Sequence, residues 1–184
     1  YYHSSMKNVG PVRKEMGERT IFNILGPLTN PANASIQLLG VYNNDLVEKL
    51  AEVLKNLGVK RGMAVCGNDG LDEITLTGPT HCCEIRDGGL TSFDITPEQF
   101  GFETCDLKEL IGGTPQENAQ ITRDILSGKE TGAKRNVILM NAGIAIYLGK
   151  EGITMEEGVA IAKEMIDSGK ALEKLEEFIK ETNA

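Results

Sequence analysis

A vicinal acidic pair, Asp72 and Glu73, stands in the segment Gly70-Leu-Asp-Glu-Ile-Thr-Leu-Thr-Gly-Pro79. The apolar run 63–66 just before it predicts a buried β-strand that delivers the pair into a glycine-flanked loop. Mg²⁺ keeps several waters and is usually held by one or two carboxylates together with substrate phosphates. The pair therefore suits a metal–diphosphate site, although this dipeptide is also common on ordinary surface turns. Asp69 is interpreted as a structural residue of the turn Asn68-Asp69-Gly70.

A second candidate group lies near the start of the chain. Arg13, in Gly10-Pro-Val-Arg13, offers a planar guanidinium that can form two parallel hydrogen bonds with a carboxylate. The alternative is a surface arginine on a short helix. Gly26, in Arg19-Thr-Ile-Phe-Asn-Ile-Leu-Gly-Pro-Leu-Thr-Asn-Pro31, permits close approach of the backbone to a ligand, and Pro27 stiffens that position. Gly26 is also predicted to end a helix capped by Thr20, and the two interpretations are compatible.

Charge and composition exclude several classes of partner. The 184 residues carry a net charge of −8, but residues 1–44 have four basic and two acidic side chains, which leaves −10 for the remainder. The positively charged segment, residues 1–44, is therefore the expected binding region for a small anion. An acidic chain without a run of Lys or Arg argues against nucleic acid or an anionic membrane as partner. The longest apolar stretch, 137–148, is interrupted by Asn141 and is too short to span a bilayer.

The four cysteines, Cys66, Cys82, Cys83 and Cys105, contain no C-x-x-C pair. They are predicted to be reduced thiols of a cytoplasmic protein. His81-Cys82-Cys83 could form a zinc corner or a nucleophile with its base, but adjacent strand residues point to opposite faces, which disfavours both.

The hydrophobic pattern predicts an α/β fold with a mixed, largely parallel sheet flanked by helices. A strand at 36–42, a helix with Leu46, Leu50, Leu54 and Leu57 on one face until Gly58, and a strand at 63–67 form a βαβ unit. Asn44 or Asp45 is expected to cap that helix. A hairpin at 81–95 follows. A short helix is predicted from Pro11 to just before Gly17, and further helices are predicted at 106–111, 115–127, 133–149, 154–168 and 170–182. Gly112-Gly113-Thr114-Pro115 lacks the rest of a phosphate loop and fits a hinge before a helix.

Together with Tyr2-His-Ser-Ser-Met-Lys-Asn-Val-Gly-Pro-Val-Arg13, these segments resemble the anthranilate phosphoribosyltransferase family. The resemblance implies a C-terminal domain of the nucleoside phosphorylase and phosphoribosyltransferase type. It implies transfer of 5-phosphoribosyl from phosphoribosyl diphosphate to the amine of anthranilate in tryptophan biosynthesis, with Mg²⁺ bound by Asp72 and Glu73. On the same ground Arg13, His3, Met6 and Gly26 bind the acceptor, and no residue is assigned as a catalytic acid or base. Family members often have His-Pro-Ala-Met where this chain has His3-Ser-Ser-Met6.

The resemblance also sets expectations for the whole enzyme. Residues 1–184 would be its C-terminal domain, while a helical N-terminal domain with the donor-binding loop would lie upstream and form a homodimer interface. The chain alone is expected to be inactive. A paralogue resembling pyrimidine nucleoside phosphorylase, a non-enzymatic relative that binds nucleic acid, and an inert structural domain remain as alternatives; the intact acidic motif disfavours the first and the low basic content disfavours the second.

Overall fold

The computed structural model describes residues 10–11, 15–17 and 22–183. Its centre is a four-stranded sheet with the spatial order β1 (Ile36–Gly40), β2 (Arg61–Gly67), β3 (Thr80–Arg86) and β4 (Gly89–Ile95). β1 pairs with β2 in parallel, with Gly40 opposite Val65, whereas β2–β3 and β3–β4 are antiparallel. The predicted α/β class and mixed sheet are confirmed, but the described sheet is not largely parallel, because only the β1–β2 pair is parallel.

The described helices pack around this sheet, and from residue 47 onward they lie at the predicted positions. They are α1 (Phe22–Leu28), α2 (Val47–Asn56), α3 (Leu107–Leu110), α4 (Pro115–Leu126), α5 (Ala133–Gly149), α6 (Met155–Asp167) and α7 (Lys170–Thr182), with 3₁₀ turns at Asn44–Leu46 and Pro97–Phe100. From α3 onward the predicted ends are confirmed to within one residue. Thr114 and Thr154 begin α4 and α6 with capping boxes, each paired with a glutamate three residues later.

The βαβ unit is confirmed, with two corrections at the ends of α2. Neither Asn44 nor Asp45 caps α2: Leu46 occupies its N-cap position without a side-chain hydrogen bond. Asn43 instead caps the preceding 3₁₀ turn, where its side chain accepts a hydrogen bond from the Asp45 N–H at 2.8 Å. Leu57 is 59% exposed, so its assignment to the buried stripe was wrong. The helix ends at Asn56 and the chain reverses at Gly58, whose φ is +96°. The end of the helix therefore turns Leu57 away from the sheet.

A helix covers each face of the sheet. Along β2, Ala64 and Cys66 belong to a cluster with Leu50 and Leu54 of α2. Met63 and Val65 face the other way and pack in a cluster with residues of α5, namely Val137, Met140, Ile144, Tyr147 and Leu148. A third cluster joins α4, α5 and α6 through Ile125, Leu139, Val159, Ala162 and Ile166. The period-2 alternation of β2 thus places it between two helical layers.

The helix predicted to stop at Gly26 continues beyond it. α1 runs through Gly26 and contains Pro27, and it ends at Leu28. The Thr29 hydroxyl donates to the Leu25 carbonyl at 3.0 Å beyond that end. The prediction that Gly26 is a helix C-cap was therefore wrong. Around the earlier predicted helix, residues 10–11 and 15–16 are helical, and Gly17 follows with a φ of +63°.

The hairpin and the cysteines match the sequence predictions. Asp87 and Gly88 have φ values of 51° and 77°, as a type I′ turn requires, so β3 and β4 are joined by two residues. All four cysteines are free, and Cys82 and Cys83 lie in the clusters on opposite faces of the sheet. Among the helices that the structure describes, none combines the length and apolar character needed to cross a membrane.

The last helix carries the predicted apolar stripe only in part. Leu172, Leu175 and Ile179 are half-buried, whereas Phe178 is 63% exposed. α7 packs against α6 and α4 at the periphery of the molecule, so its stripe adds little to the core.

Candidate functional site

The acidic pair lies in the loop that joins β2 to β3, residues 68–79, which we call the acidic loop. Asp69 organises this loop. Its Oδ1 accepts a hydrogen bond from the Leu71 N–H at 3.0 Å, and its Oδ2 accepts from the hydroxyls of Thr75 at 2.7 Å and Thr77 at 2.6 Å. Burial would raise the pKa of Asp69, but these hydrogen bonds outweigh it and hold the pKa below the usual value. A charged Asp69 therefore ties the start of the loop to its end.

A second anchor comes from α5. The Asn141 amide donates to the Ile74 carbonyl at 2.8 Å, and its Oδ1 accepts from the Ile74 N–H at 3.0 Å. The same amide nitrogen also contacts the Val137 carbonyl at 3.0 Å. Ile74 follows Glu73 directly and is fully buried. Because both backbone groups of Ile74 are paired with one side chain, the backbone next to Glu73 has a defined position.

The acidic loop also lies directly against the carboxyl end of β1. A Cβ atom built on Gly40 would fall 1.6 Å from the Asp72 carbonyl oxygen and 2.4 Å from its carbonyl carbon. Only glycine leaves room for this approach. Since β1 and β2 are parallel, their carboxyl ends share one edge of the sheet, and the acidic loop folds across that edge. This edge is where ligands bind in many α/β proteins.

The two carboxylates of the pair have different surroundings. Asp72 is exposed, whereas Glu73 is half-buried. Burial, together with the negative charges of Asp72 and Asp69, raises the pKa of Glu73 above its usual value. A cation bound beside the pair would relieve this repulsion, so the set of oxygen donors fits a hard divalent ion such as Mg²⁺.

Among residues 10–11, 15–17 and 22–183, no group of three or more His, Cys, Asp or Glu side chains is arranged to hold a metal. The acidic pair therefore supplies two ligands at most. Water or the phosphates of a ligand would complete a magnesium site there.

Gly26, another predicted site residue, does not pack against this pair. Gly26 lies exposed on α1, and a Cβ built on it meets no atom within 4 Å. α1 is connected to the sheet by the Gln37 side chain, which donates to the Pro27 carbonyl at 3.1 Å. His3, Met6 and Arg13 lie outside the described residues. Their roles stay predictions.

The alternative reading of His81-Cys82-Cys83 is not supported by the geometry. His81 Nδ1 lies 2.6 Å from Asp94 Oδ1, and His81 Nε2 lies 2.8 Å from Glu48 Oε1, so both ring nitrogens are already paired with carboxylates. Burial raises the pKa of Cys82 to about 12, which leaves its thiolate negligible at neutral pH. The segment is a structural part of β3.

Three residues that shape the acidic loop were not recognised as such from the sequence. Asp69 was assigned only turn chemistry, while Gly40 and Asn141 were given no role at the site. The available signals were a glycine at the end of a strand, which often marks close backbone approach, and a single polar residue inside an apolar helix. Neither signal identifies the residue that is contacted. Gly40 contacts Asp72, which is 32 positions away, and Asn141 pairs with Ile74, which is 67 positions away.

Curated proteins that are similar to this chain include two with the same name. An anthranilate phosphoribosyltransferase of Endomicrobium trichonymphae is 59% identical over 179 residues, which are 97% of this chain and 53% of that protein. An enzyme of the same name from Methanobrevibacter smithii is 53% identical over 183 residues, or 100% of this chain and 54% of its own length. The chain therefore spans about half the length of the curated relatives it matches.

Solved structures show the same relationship. The anthranilate phosphoribosyltransferase of Thermus thermophilus superimposes with a TM-score of 0.90 at 40% identity, and the match covers 99% of this chain and 54% of that one. The Saccharomyces cerevisiae enzyme in complex with PRPP and Mg gives a TM-score of 0.88 at 34% identity, covering 97% and 51%. The sequence model described as "Glycosyl transferase family, a/b domain" matches residues 1–172. Because that match takes in nearly the whole chain, the protein belongs to the glycosyl transferase family and contains its α/β domain.

Proposed function

We propose that this chain is the C-terminal half of an anthranilate phosphoribosyltransferase, which transfers 5-phosphoribosyl from phosphoribosyl diphosphate to the amine of anthranilate. The observation that carries the proposal is the acidic loop: Asp72 and Glu73 lie at the carboxyl edge of the β1–β2 pair, on a backbone fixed by Gly40, Asp69 and Asn141. The reaction itself is inferred from the names of the relatives, which share high sequence identity with this chain.

In this reaction the anthranilate nitrogen attacks C1 of the ribose and the C1–O bond to diphosphate breaks. When bound by Asp72 and Glu73, Mg²⁺ would neutralise the charge that builds on the departing diphosphate. The protein's own contribution is to hold the loop that carries both carboxylates in place before the donor binds. A bound cation would also favour the ionised form of Glu73, whose pKa is raised by burial and by its acidic neighbours.

The acceptor side of the proposal rests on the family resemblance. Arg13 pairs its guanidinium with the carboxylate of anthranilate, while His3 and Met6 line the entrance and Gly26 allows close approach of the ring. The positive charge of residues 1–44 favours binding of an anionic acceptor there.

The remaining half of the enzyme completes the site in this proposal. A helical N-terminal domain supplies the donor-binding loop and the homodimer interface, so the chain by itself holds only part of the reactants' binding site and does not turn over. We place the enzyme in the cytoplasm, in keeping with four free cysteines.

A chimera tests the function. The N-terminal half of the E. trichonymphae relative, joined to this chain, is assayed with phosphoribosyl diphosphate, Mg²⁺ and anthranilate by the loss of anthranilate fluorescence. We expect turnover by the chimera, none by the chain alone, and a much lower rate for the Asp72→Asn/Glu73→Gln chimera.

The donor half alone and the parent E. trichonymphae enzyme serve as negative and positive controls. A folded chimera without phosphoribosyl transfer would contradict the proposal. A chimera that instead cleaves pyrimidine nucleosides with phosphate would assign the chain to the phosphorylase-like alternative.

A further inference from the structure

We propose that Asn141 and Asp69 are positioning residues that set the affinity of the Asp72–Glu73 pair for its metal ion by fixing the loop on either side of the pair. This inference rests on the proposed function, because it requires that the pair binds a divalent cation. It assigns roles to one residue that was interpreted as ordinary turn chemistry and to one in a helix far along the chain.

Asp69 fixes the side that precedes the pair. Its carboxylate accepts three hydrogen bonds, one from the Leu71 backbone and two from the hydroxyls of Thr75 and Thr77. The hydroxyls belong to the segment after the pair, so a single carboxylate bridges the loop across Asp72 and Glu73. Hydrogen bonds to an ionised acceptor are roughly twice as strong as neutral ones. The bridge therefore resists opening of the loop.

Asn141 fixes the side that follows the pair. Its amide pairs with both the N–H and the carbonyl of Ile74, at 3.0 and 2.8 Å. The neighbouring residues of α5, Met140 and Ile144, are fully buried in the core, so the amide is carried by a rigid support. An apolar residue in place of Asn141 would leave two buried backbone groups of Ile74 unpaired.

Between these anchors lie Gly70 to Glu73, and the Leu71 carbonyl also accepts a hydrogen bond from the Gly67 N–H at 2.9 Å. Gly70 has a φ of +80°, and the Asp72 backbone is pressed against Gly40. The two carboxylates are therefore presented from a short, doubly held segment. Metal ligands must lie within about 0.2 Å of their ideal distances, and loss of the groups that orient them typically weakens metal affinity by about 10- to 100-fold.

Manganese binding to the 184-residue chain tests this without any enzyme assay. Mn²⁺, a paramagnetic substitute for Mg²⁺, is titrated while line broadening of backbone amide signals in the acidic loop is followed by NMR. We expect Asn141→Ala to raise the apparent dissociation constant by about 10-fold or more. The Thr75→Val/Thr77→Val double variant should do the same, and it removes the two hydroxyl donors to Asp69 without changing any charge.

Asn118 supplies a matched control. Its amide pairs with both backbone groups of Gly113, at 2.8 and 3.1 Å, in the same arrangement as Asn141 with Ile74 but at the start of α4. Asn118→Ala should leave Mn²⁺ binding unchanged. The thermal unfolding curve of each variant is measured first. All titrations are then carried out at one temperature that lies below every unfolding transition.

The outcomes separate the two proposals. If Asp72→Asn/Glu73→Gln binds Mn²⁺ like the parent chain, the metal assignment itself fails. If that variant loses binding while Asn141→Ala and the threonine double variant keep the parent affinity, the positioning roles are overturned and the metal site stands. Should Asn141→Ala not fold, the threonine double variant decides.

Discussion

Gly40 and Asp72 are in direct backbone contact: a Cβ on Gly40 would overlap the Asp72 carbonyl oxygen at 1.6 Å. This contact joins the carboxyl end of one strand to the loop that leaves its parallel neighbour. It fixes the backbone that carries the exposed Asp72 side chain, because that backbone is pressed against the sheet.

Gly40→Ala should therefore disrupt both the stability of the chain and its metal site. The new methyl group meets backbone, which cannot move aside like a flexible side chain, so we expect a loss of about 3 kcal/mol or more in the free energy of unfolding. Urea denaturation measures this loss, and Mn²⁺ titration should show weakened binding.

Gly149→Ala is the control, because a Cβ there meets no atom within 4 Å and the residue ends helix α5. Alanine should leave the stability unchanged or raise it by up to about 1 kcal/mol. Equal effects of the two substitutions would refute the contact.

Glu73 should make the stability of the metal-free chain depend on pH. Its pKa is raised in the folded state by burial and by Asp72 and Asp69, so the folded state favours the protonated acid. The contribution to stability is complete below the usual pKa of 4.5 and is lost as pH rises through the raised value. Glu73→Gln should therefore be more stable than the parent at pH 7 and lose this advantage at pH 4.

Urea titrations from pH 4 to 8 check the prediction, with Glu181→Gln, an exposed carboxylate of α7, as the control. Mg²⁺ at ten times its dissociation constant should stabilise the parent chain by about 1.4 kcal/mol and Glu73→Gln far less. If the stability of Glu73→Gln varies with pH in parallel with that of the parent, burial and the neighbouring charges do not destabilise the ionised Glu73 carboxylate.

His81 should produce a second pH dependence at higher pH. Hydrogen bonds from its ring to Asp94 and then to Glu48 raise the pKa of His81 above its usual 6.5. Its stabilising effect is complete below pH 6.5 and is lost as pH rises through the raised value. Both carboxylates are well exposed, so we expect a loss of at most about 1 kcal/mol.

The stability of His81→Gln should be flat over the same pH range, and added salt should reduce the slope of the parent. Urea denaturation between pH 6 and 8.5 makes the comparison. A parent chain that gains stability across this range would rule out the assigned ion pairs.

Arg13→Ala in the active chimera should weaken anthranilate binding selectively. Loss of a charge-assisted pair of hydrogen bonds corresponds to about 1.5–3 kcal/mol, or about 10- to 150-fold in the KM for anthranilate. The KM for phosphoribosyl diphosphate should stay unchanged, and Arg13→Lys should restore binding only in part because a point charge cannot form the two parallel bonds. A rise confined to the donor KM would place Arg13 on the phosphate side of the site.

Local patterns were sufficient for most of the elements. A continuous apolar run located β2, and Leu50 and Leu54 marked the buried face of α2, because these signals arise within a few residues of the chain. The turn at Asp87-Gly88 and the threonine caps of α4 and α6 likewise depend on local backbone chemistry. Two of the errors fell at helix ends, at Leu57 and Gly26, where the direction of the backbone changes although the apolar pattern continues.

In the candidate site, too, local patterns predicted some features and long-range contacts determined the others. The sequence by itself determined which carboxylates, Asp72 and Glu73, stand in a loop after a buried strand, since that follows from residue types in a continuous segment. The tertiary structure alone decided that Gly40 receives the loop and that Asn141 pairs with Ile74. Those contacts join residues that are distant along the chain, and they form only when the parallel strand pair and α5 pack together, so no local pattern can specify them.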